Sequence, residues 1–365
     1  MSEAKSVRLR GPDGLRGIAA LWVVLFHIWG AIQRRDTSWV PSLVQTFLDA
    51  GFLGVDIFFV LSGFVITYSL AGKPIGDYFV PKFILRRSIR IDPPYWATIV
   101  MAIVFIVAKN IFFPEYQETL PSFESVIAHI FYLQDLLNYP AISSVFWTLC
   151  LEFQFYIIFS IMVWLIYRKL PVSAHRVPFF VTGFSFIVMV VSPYFRYTEG
   201  SMPVSGTIFP YLYEFLLGIL ACYYLIGRLR GADLSLLMLT VFLVTVSLKT
   251  TLHAIIPAIT VVALIGSSKG WRCFQFLVSD SCQFLGRISY SLYLTHAIIG
   301  WASASILIRF LDGRGGFLGT AAVFFLSVMV SLIFAYIFYH IVEKRFITLS
   351  KRLKIRGRTY EKCES

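Results

Sequence analysis

Charge is what this chain is short of. Only 14% of its 365 residues are Asp, Glu, Lys or Arg, and the acidic ones number just 20. An ordinary soluble domain carries about 25%, so this composition cannot dress a large water-facing surface. Cysteine is sparse too: there are five, at no metal-ligand spacing and in no disulfide framework, which argues against a zinc module or a stapled secreted domain. Internal repeats, heptad runs and low-complexity tracts are absent, so solenoids and coiled coils are set aside. Residues 114–144 contain no Lys or Arg, yet hold Glu115, Glu118, Glu124 and Asp135.

What fills the space is apolar. The chain is 58% hydrophobic with a mean hydropathy of +0.75, and apolar runs near helix length recur from residue 15 to residue 342. This predicts an all-α, polytopic membrane protein. Ten spans are expected, at about 15–32, 51–71, 93–113, 145–167, 177–193, 205–226, 233–248, 252–267, 286–310 and 317–341. An even count puts both termini on one side.

The basic residues test that topology independently. With a cytoplasmic N-terminus, 25 of the 32 Lys and Arg fall in inner segments and seven in outer ones, the bias that the positive-inside rule requires. The net charge of +12 is thus topogenic. Nucleic-acid binding is a poor account of it, because the basic residues are spread over six separate segments. The first span reads as a retained helix and not as a cleaved signal, since Arg16 lies inside its apolar run and no small-x-small site follows. An integral-membrane domain is expected over 1–345, with a basic cytoplasmic tail over 346–365. Cys150 and Cys222 fall in spans, whereas Cys273, Cys282 and Cys363 fall on the cytoplasmic side, where thiols stay reduced.

Against so apolar a background the ionisable residues stand out. Arg16 and His27 lie eleven steps apart in the first span, which returns them to nearly one helix face, about 16 Å apart along the axis. Asp56, in Gly-Val-Asp-Ile-Phe-Phe-Val-Leu-Ser-Gly-Phe, and Glu152, in the fourth span, fall at nearly the same depth as His27 by residue count, roughly 7–10 Å below the outer surface. A carboxylate facing a histidine fixes its tautomer and raises its basicity, as a general base needs, so Asp56 or Glu152 is expected to orient His27. Thr148, Glu152 and Tyr156 repeat at i, i+4, i+8 and share a face. The bland alternative is a buried salt-bridge network that only joins helices, but three ionisable residues at one depth favour a pathway or reaction site.

Two further clusters matter. Lys82, Arg86, Arg87 and Arg90 precede Pro93-Pro94, and a short interfacial helix over 78–90 would present Arg87 and Arg90 one turn apart beside Arg86. Such a fork suits a phosphate-bearing ligand; anchoring to anionic lipid explains the spacing equally well. The proline pair predicts a break before the third span. In Ser289-Tyr290-Ser291-Leu292-Tyr293-Leu294-Thr295-His296, the side chains of Ser289, Tyr293 and His296 share a face. Thr148, Tyr156, Tyr293 and His296 are read as substrate-facing or structural polar residues.

With these residues in view, the sequence resembles the membrane acyltransferase family 3, the bacterial O-acyltransferases that modify cell-surface glycans. The carriers are Arg16-x10-His27, the run around Asp56, Arg87-x-x-Arg90 before Tyr95-Trp96, the Trp147-Thr148-Leu149 to Glu152 segment, and the Ser289 to His296 run. The resemblance implies a ten-helix core in the bacterial cytoplasmic (inner) membrane. It implies an acyl group, usually acetyl, taken from cytoplasmic acetyl-CoA or another short acyl-CoA and delivered to a hydroxyl of an outer saccharide. That acceptor would be exopolysaccharide, lipopolysaccharide or lipo-oligosaccharide, or a lipid-linked saccharide. It makes Arg16 and His27 the pair on which activity depends, and Arg87 and Arg90 the contacts to CoA phosphates. Some relatives carry a hydrolase-like domain after the membrane core, and this chain is expected to be a stand-alone member. Neither a metal nor a permanently bound cofactor is expected. The competing class is a proton-coupled transporter or flippase of a glycan or small anion, because intramembrane His and Asp also build proton relays. Neither repeated halves nor paired broken helices are seen to support it. A structural or sensory membrane protein gives no reason for the shared level of His27, Asp56 and Glu152.

Overall fold

The computed structural model of the chain describes residues 9–33, 37, 40–73, 75–169, 179–198, 206–311 and 316–353. Arg176, Cys363 and the stretch 354–365 of the expected tail lie outside them. The described residues are helical and contain no strand. In chain order the helices are α1 (Arg10–Ile32), α2 (Ser42–Asp49), α3 (Gly54–Leu70), α4 (Phe79–Phe112), α5 (Phe123–Ile130), α6 (Trp147–Lys169), α7 (Phe179–Tyr197), α8 (Leu212–Leu225), α9 (Gly231–Ser247), α10 (Leu252–Ser268), α11 (Asp280–Leu311), α12 (Gly316–Phe338) and α13 (Lys344–Arg352).

A helix lies over each of the ten apolar stretches read from the sequence. Among the described residues, six helical stretches are long and apolar enough to cross a bilayer. A seventh crossing results if α10 and the 3₁₀ turn Arg272–Val278, bent by 87° where they meet, count as one. Rows of large apolar side chains face outward at helical spacing: Val100, Val104, Val107 and Ile111 on α4; Phe325, Met329 and Ile333 on α12. No aqueous surface tolerates such stripes, but lipid does. The chain is a multi-pass membrane protein.

α1 runs through the middle, packed along α11 and against α3 and α12. It is parallel to α11: Gly17 faces Gly286, and His27 meets His296 at the same sequence offset of 269. α3 crosses α8 at two glycines. A Cβ on Gly63 would fall on the Phe215 carbonyl oxygen, and one on Gly218 would fall on that of Val60. In a membrane, where apolar burial does not drive helices together, such close approach supplies the packing. Gly218→Val is therefore expected to disrupt the α3–α8 contact, costing about 1–3 kcal/mol or more. Thermal unfolding in detergent checks this against Leu239→Ala on the lipid-facing side of α9, which is expected to unfold at the wild-type temperature.

One expectation is corrected here, and one segment gains a structure. The proline pair does not break the chain: α4 runs unbroken through Pro93 and Pro94 for 34 residues, about 51 Å, so residues 78–90 form no separate interfacial helix. Prolines are tolerated inside membrane helices, and beside this pair Tyr290 donates to the Ile91 carbonyl at 2.8 Å. The second finding concerns residues 114–144, the outer connector between the third and fourth expected spans. They fold back along α4, from Asn110, which bonds the Glu118 backbone, to Trp96, which donates to the Ile130 carbonyl, and on to Asp92, which accepts from Tyr132 at 3.0 Å. Tyr132 stacks on Tyr95. His129 staples this return: Nδ1 donates to the Ser125 carbonyl (2.7 Å), so Nε2 accepts from the Ile142 amide (3.1 Å). Its consequence is that α6 begins deep in the bundle. In the stretch expected as a tail, α13 packs against α4.

Candidate functional site

Three arginines meet inside the bundle. Arg16 from α1 and Arg87 and Arg90 from α4 line one cavity of about 70 Å³, with Ser62, Glu152, Tyr156, Thr148 and Tyr293 also in its wall. Arg86, expected to join the fork, is absent from that wall. The Arg87 guanidinium sits 5.4 Å from the centres of both the Tyr156 and Phe83 rings. Glu152 accepts from the Ser62 hydroxyl at 2.8 Å and from Tyr156 at 2.5 Å. Glu343 accepts from the Ser291 amide and hydroxyl (3.1 and 2.5 Å), within electrostatic reach of Arg90 and Arg16. Three half-buried guanidiniums against two carboxylates leave a positive excess, and a cavity of this kind suits an anion.

His27 lies elsewhere. Eleven residues above Arg16 on α1, roughly 16 Å along the axis, its ring meets that of His296 from α11, with the centroids 4.9 Å apart. The hydrogen bonds fix both tautomers. His296 Nδ1 faces the Leu292 and Tyr293 carbonyls at 3.1 and 2.8 Å; carbonyls only accept, so Nδ1 carries the proton and Nε2 is an acceptor. His27 Nδ1 lies 3.1 Å from that Nε2 and 3.0 Å from the Val23 carbonyl, so it must be the donor. His27 Nε2 is left with a bare lone pair, which is what a general base needs. Trp301 holds the backbone here, donating from Nε1 to the His27 carbonyl at 2.9 Å.

Neither carboxylate expected to orient His27 does so. Asp56, in the first turn of α3, accepts from Arg196 (2.8 Å) and from His253 Nδ1 (2.7 Å). Arg196, at the end of α7, also bonds Glu214 in the first turn of α8 and donates to the Tyr213 hydroxyl at 2.9 Å. Glu152 does not share the level of Asp56: its partner Ser62 lies six residues further along α3, about 9 Å. The expected common depth failed because the return over 114–146 starts α6 low in the bundle. The side chain bonded to the His27 ring is His296, and Thr148 bonds Tyr293, hydroxyl to hydroxyl, at 2.8 Å.

Arg196, Glu214 and His253 were missed by the sequence reading. Their signal was present, since each is an ionisable residue within or at the end of an apolar stretch. Ligand-type atoms of Asp56, Glu214 and His253 lie within 4.8 Å of one another, as in a metal site. Arg196 already bridges the two carboxylates, however, so a guanidinium takes the place a cation would fill.

A family described as "Acyltransferase domain" has a sequence model that matches residues 9–340. The chain is 29% identical over 320 residues to "Acyltransferase MdmB" of Streptomyces mycarofaciens, covering 80% of this chain and 79% of that one. It is 25% identical over 374 residues to "Putative O-acetyltransferase SACOL0978" of Staphylococcus aureus (strain COL), covering 92% of this chain and 57% of that one. It is 30% identical over 201 residues to "O-acetyltransferase OatA" of Staphylococcus aureus (strain NCTC 8325 / PS 47), covering 50% and 29%. The chain thus spans little more than half the length of the strain COL protein. No solved structure matches.

Proposed function

The chain belongs to the acyltransferase family, and from that premise we propose that it moves an acyl group, acetyl in the first instance, from cytoplasmic acyl-CoA to a hydroxyl of a saccharide on the other side of the membrane. The observation that carries this reading is the pairing of two sites on one helix. A cavity holding Arg16, Arg87 and Arg90 lies below, and an imidazole with one free nitrogen lies about 16 Å above it. A donor with phosphates cannot cross the bilayer, whereas its acyl end can reach into the bundle.

In this account Arg87 and Arg90 take CoA phosphate oxygens, and Arg16 steadies negative charge along the acyl path. His27 Nε2 accepts the proton of the acceptor hydroxyl as its oxygen attacks the thioester carbonyl. The carbon–sulfur bond breaks and the imidazolium returns the proton to the departing thiolate, so the products are an ester and free CoA. His296 holds the His27 ring in the tautomer this requires, and Tyr156 and Ser62 hold Glu152 against the arginines. No permanently bound cofactor or metal is required.

Two groups of helix ends support ten crossings with cytoplasmic termini. The starts of α1 and α11 meet through Arg10, Asp280 and Gln283, and the ends of α8 and α10 meet through Tyr224 and Lys269. At the opposite level, the starts of α3, α8 and α10 meet the end of α7 around Arg196. The bacterial cytoplasmic membrane is then the location, and exopolysaccharide, lipopolysaccharide, lipo-oligosaccharide or a lipid-linked saccharide the acceptor class. A transporter would leave its substrate unchanged, so the two readings part on thiol release. Membranes carrying the protein are expected to release free CoA from acetyl-CoA in a saccharide-dependent manner. Acetyl-CoA left intact in the presence of a surface-glycan extract would overturn the reading.

A further inference from the structure

Two open aromatic rings flank the imidazole of His27. On α1, Gly17 and Ile28 face Gly286 and Gly300 of α11, whereas Ala19, Val23 and Phe26 face Gly54 and Gly51 at the start of α3. At 100° per residue, His27 falls between these two rows. Trp301 of α11 stands on one side, with its ring centroid 6.2 Å from that of His27. On the other side Phe26 links His27 to Phe52, at centroid distances of 5.0 and 5.8 Å in turn. Trp301 is 45% exposed and Phe52 42%, and His27 itself is half-buried. The base is therefore approached between rings.

Trp301 is held in place. Its Nε1 donates to the His27 carbonyl at 2.9 Å, and helix carbonyls point toward the C-terminal end. The indole is thereby fixed just beyond His27, on the side where α1 ends at Ile32. Under the topology proposed above, a saccharide arrives from that side. A pyranose carries hydroxyls around its rim and C–H groups on its faces. A rim hydroxyl bonded to His27 Nε2 leaves a sugar face free to lie on a neighbouring ring. An aromatic anchored at its polar end and open on its apolar body suits that contact.

Resting on the acyltransferase reading above, we infer that Trp301, with Phe52 on the other side of His27, is the stacking platform for the acceptor sugar whose hydroxyl His27 deprotonates. Trp301 is an acceptor-binding residue: it holds the saccharide and leaves proton transfer to His27 and the CoA phosphates to Arg87 and Arg90.

The test compares purified wild type, Trp301→Leu and Trp301→Phe, with acetyl-CoA as donor and a surface-glycan extract as acceptor. It reads kcat and the KM for each substrate. Trp301→Leu is expected to raise the KM for glycan by about 10-fold or more, as loss of an aromatic anchor does. The KM for acetyl-CoA and kcat at saturating glycan are expected to hold, the signature of lost ground-state binding. Trp301→Phe keeps a ring but loses the N–H donor, and is expected to recover most of the glycan affinity. A wild-type KM for glycan in Trp301→Leu overturns the inference and makes the indole an anchor at the membrane surface. So does a phenylalanine variant as impaired as the leucine one, which would assign the effect to the bond with the His27 carbonyl. A fall in kcat with no change in the KM for glycan overturns it as well. If Trp301→Leu does not fold, Phe52→Leu removes the other ring and is read in the same way. A wild type that uses no acyl-CoA at all sinks the acyltransferase reading itself, whereas failure of the platform leaves acyl transfer in place.

Discussion

Changing His27 to alanine is expected to lower acyl transfer by about 10²–10⁴-fold, the range that a positioned general base supplies, while the protein still inserts and still binds acyl-CoA. The expectation follows from separation of the sites. His27 is outside the cavity wall that holds Arg16, Arg87 and Arg90, so its loss leaves the phosphate contacts in place. Its only described ring hydrogen bonds are to Val23 and His296, so no buried charge is stranded when the ring goes. His296→Ala is expected to reduce kcat less than His27→Ala does, with KM for acyl-CoA unchanged, because the His27 ring keeps the Val23 carbonyl but loses its second restraint. Binding of acyl-CoA by calorimetry separates the outcomes: loss of binding in His27→Ala would move the histidine into the donor site and refute this assignment.

The second large effect concerns stability. Arg196 is the single guanidinium between two buried carboxylates, Asp56 at 1% and Glu214 at 0% side-chain exposure. Removing it as Arg196→Met strands both, and a broken buried pair costs about 3–5 kcal/mol. Arg196→Lys is not expected to rescue fully, since a point ammonium cannot fork to two carboxylates and a tyrosine hydroxyl as this guanidinium does. The triple change Arg196→Met, Asp56→Asn, Glu214→Gln is expected to recover part of the loss by removing the stranded charges. Unfolding midpoints in detergent measure this. Wild-type stability in Arg196→Met would mean that the cluster does not tie α3, α7, α8 and α10 together.

Much of the architecture was legible because lipid leaves so few choices. Apolar length marked where helices fall, and the eleven-residue step in α1 put Arg16 and His27 along one helix. What sequence could not supply was level. Equal residue counts from assumed helix ends made Asp56, Glu152 and His27 neighbours, and that arithmetic failed once residues 114–146 turned back along α4. The return is too short and too mixed to read as a span, and its register depends on Tyr132 reaching Asp92, a contact between residues 40 apart. Pro93-Pro94 misled in the opposite sense: the local rule for prolines did not stop α4, which continues through both. Arg196 escaped notice because it was counted among the outer loop charges, whereas α7 carries it to Asp56.

The central claim is that donor and acceptor meet from opposite sides of the membrane. Sealed inside-out vesicles, loaded with surface glycan and given labelled acetyl-CoA outside, test it most directly. The account predicts label on the trapped glycan with the wild type and almost none with His27→Ala or with Arg87→Ala/Arg90→Ala. Label appearing only on glycan supplied outside, on the same side as the acetyl-CoA, would contradict it.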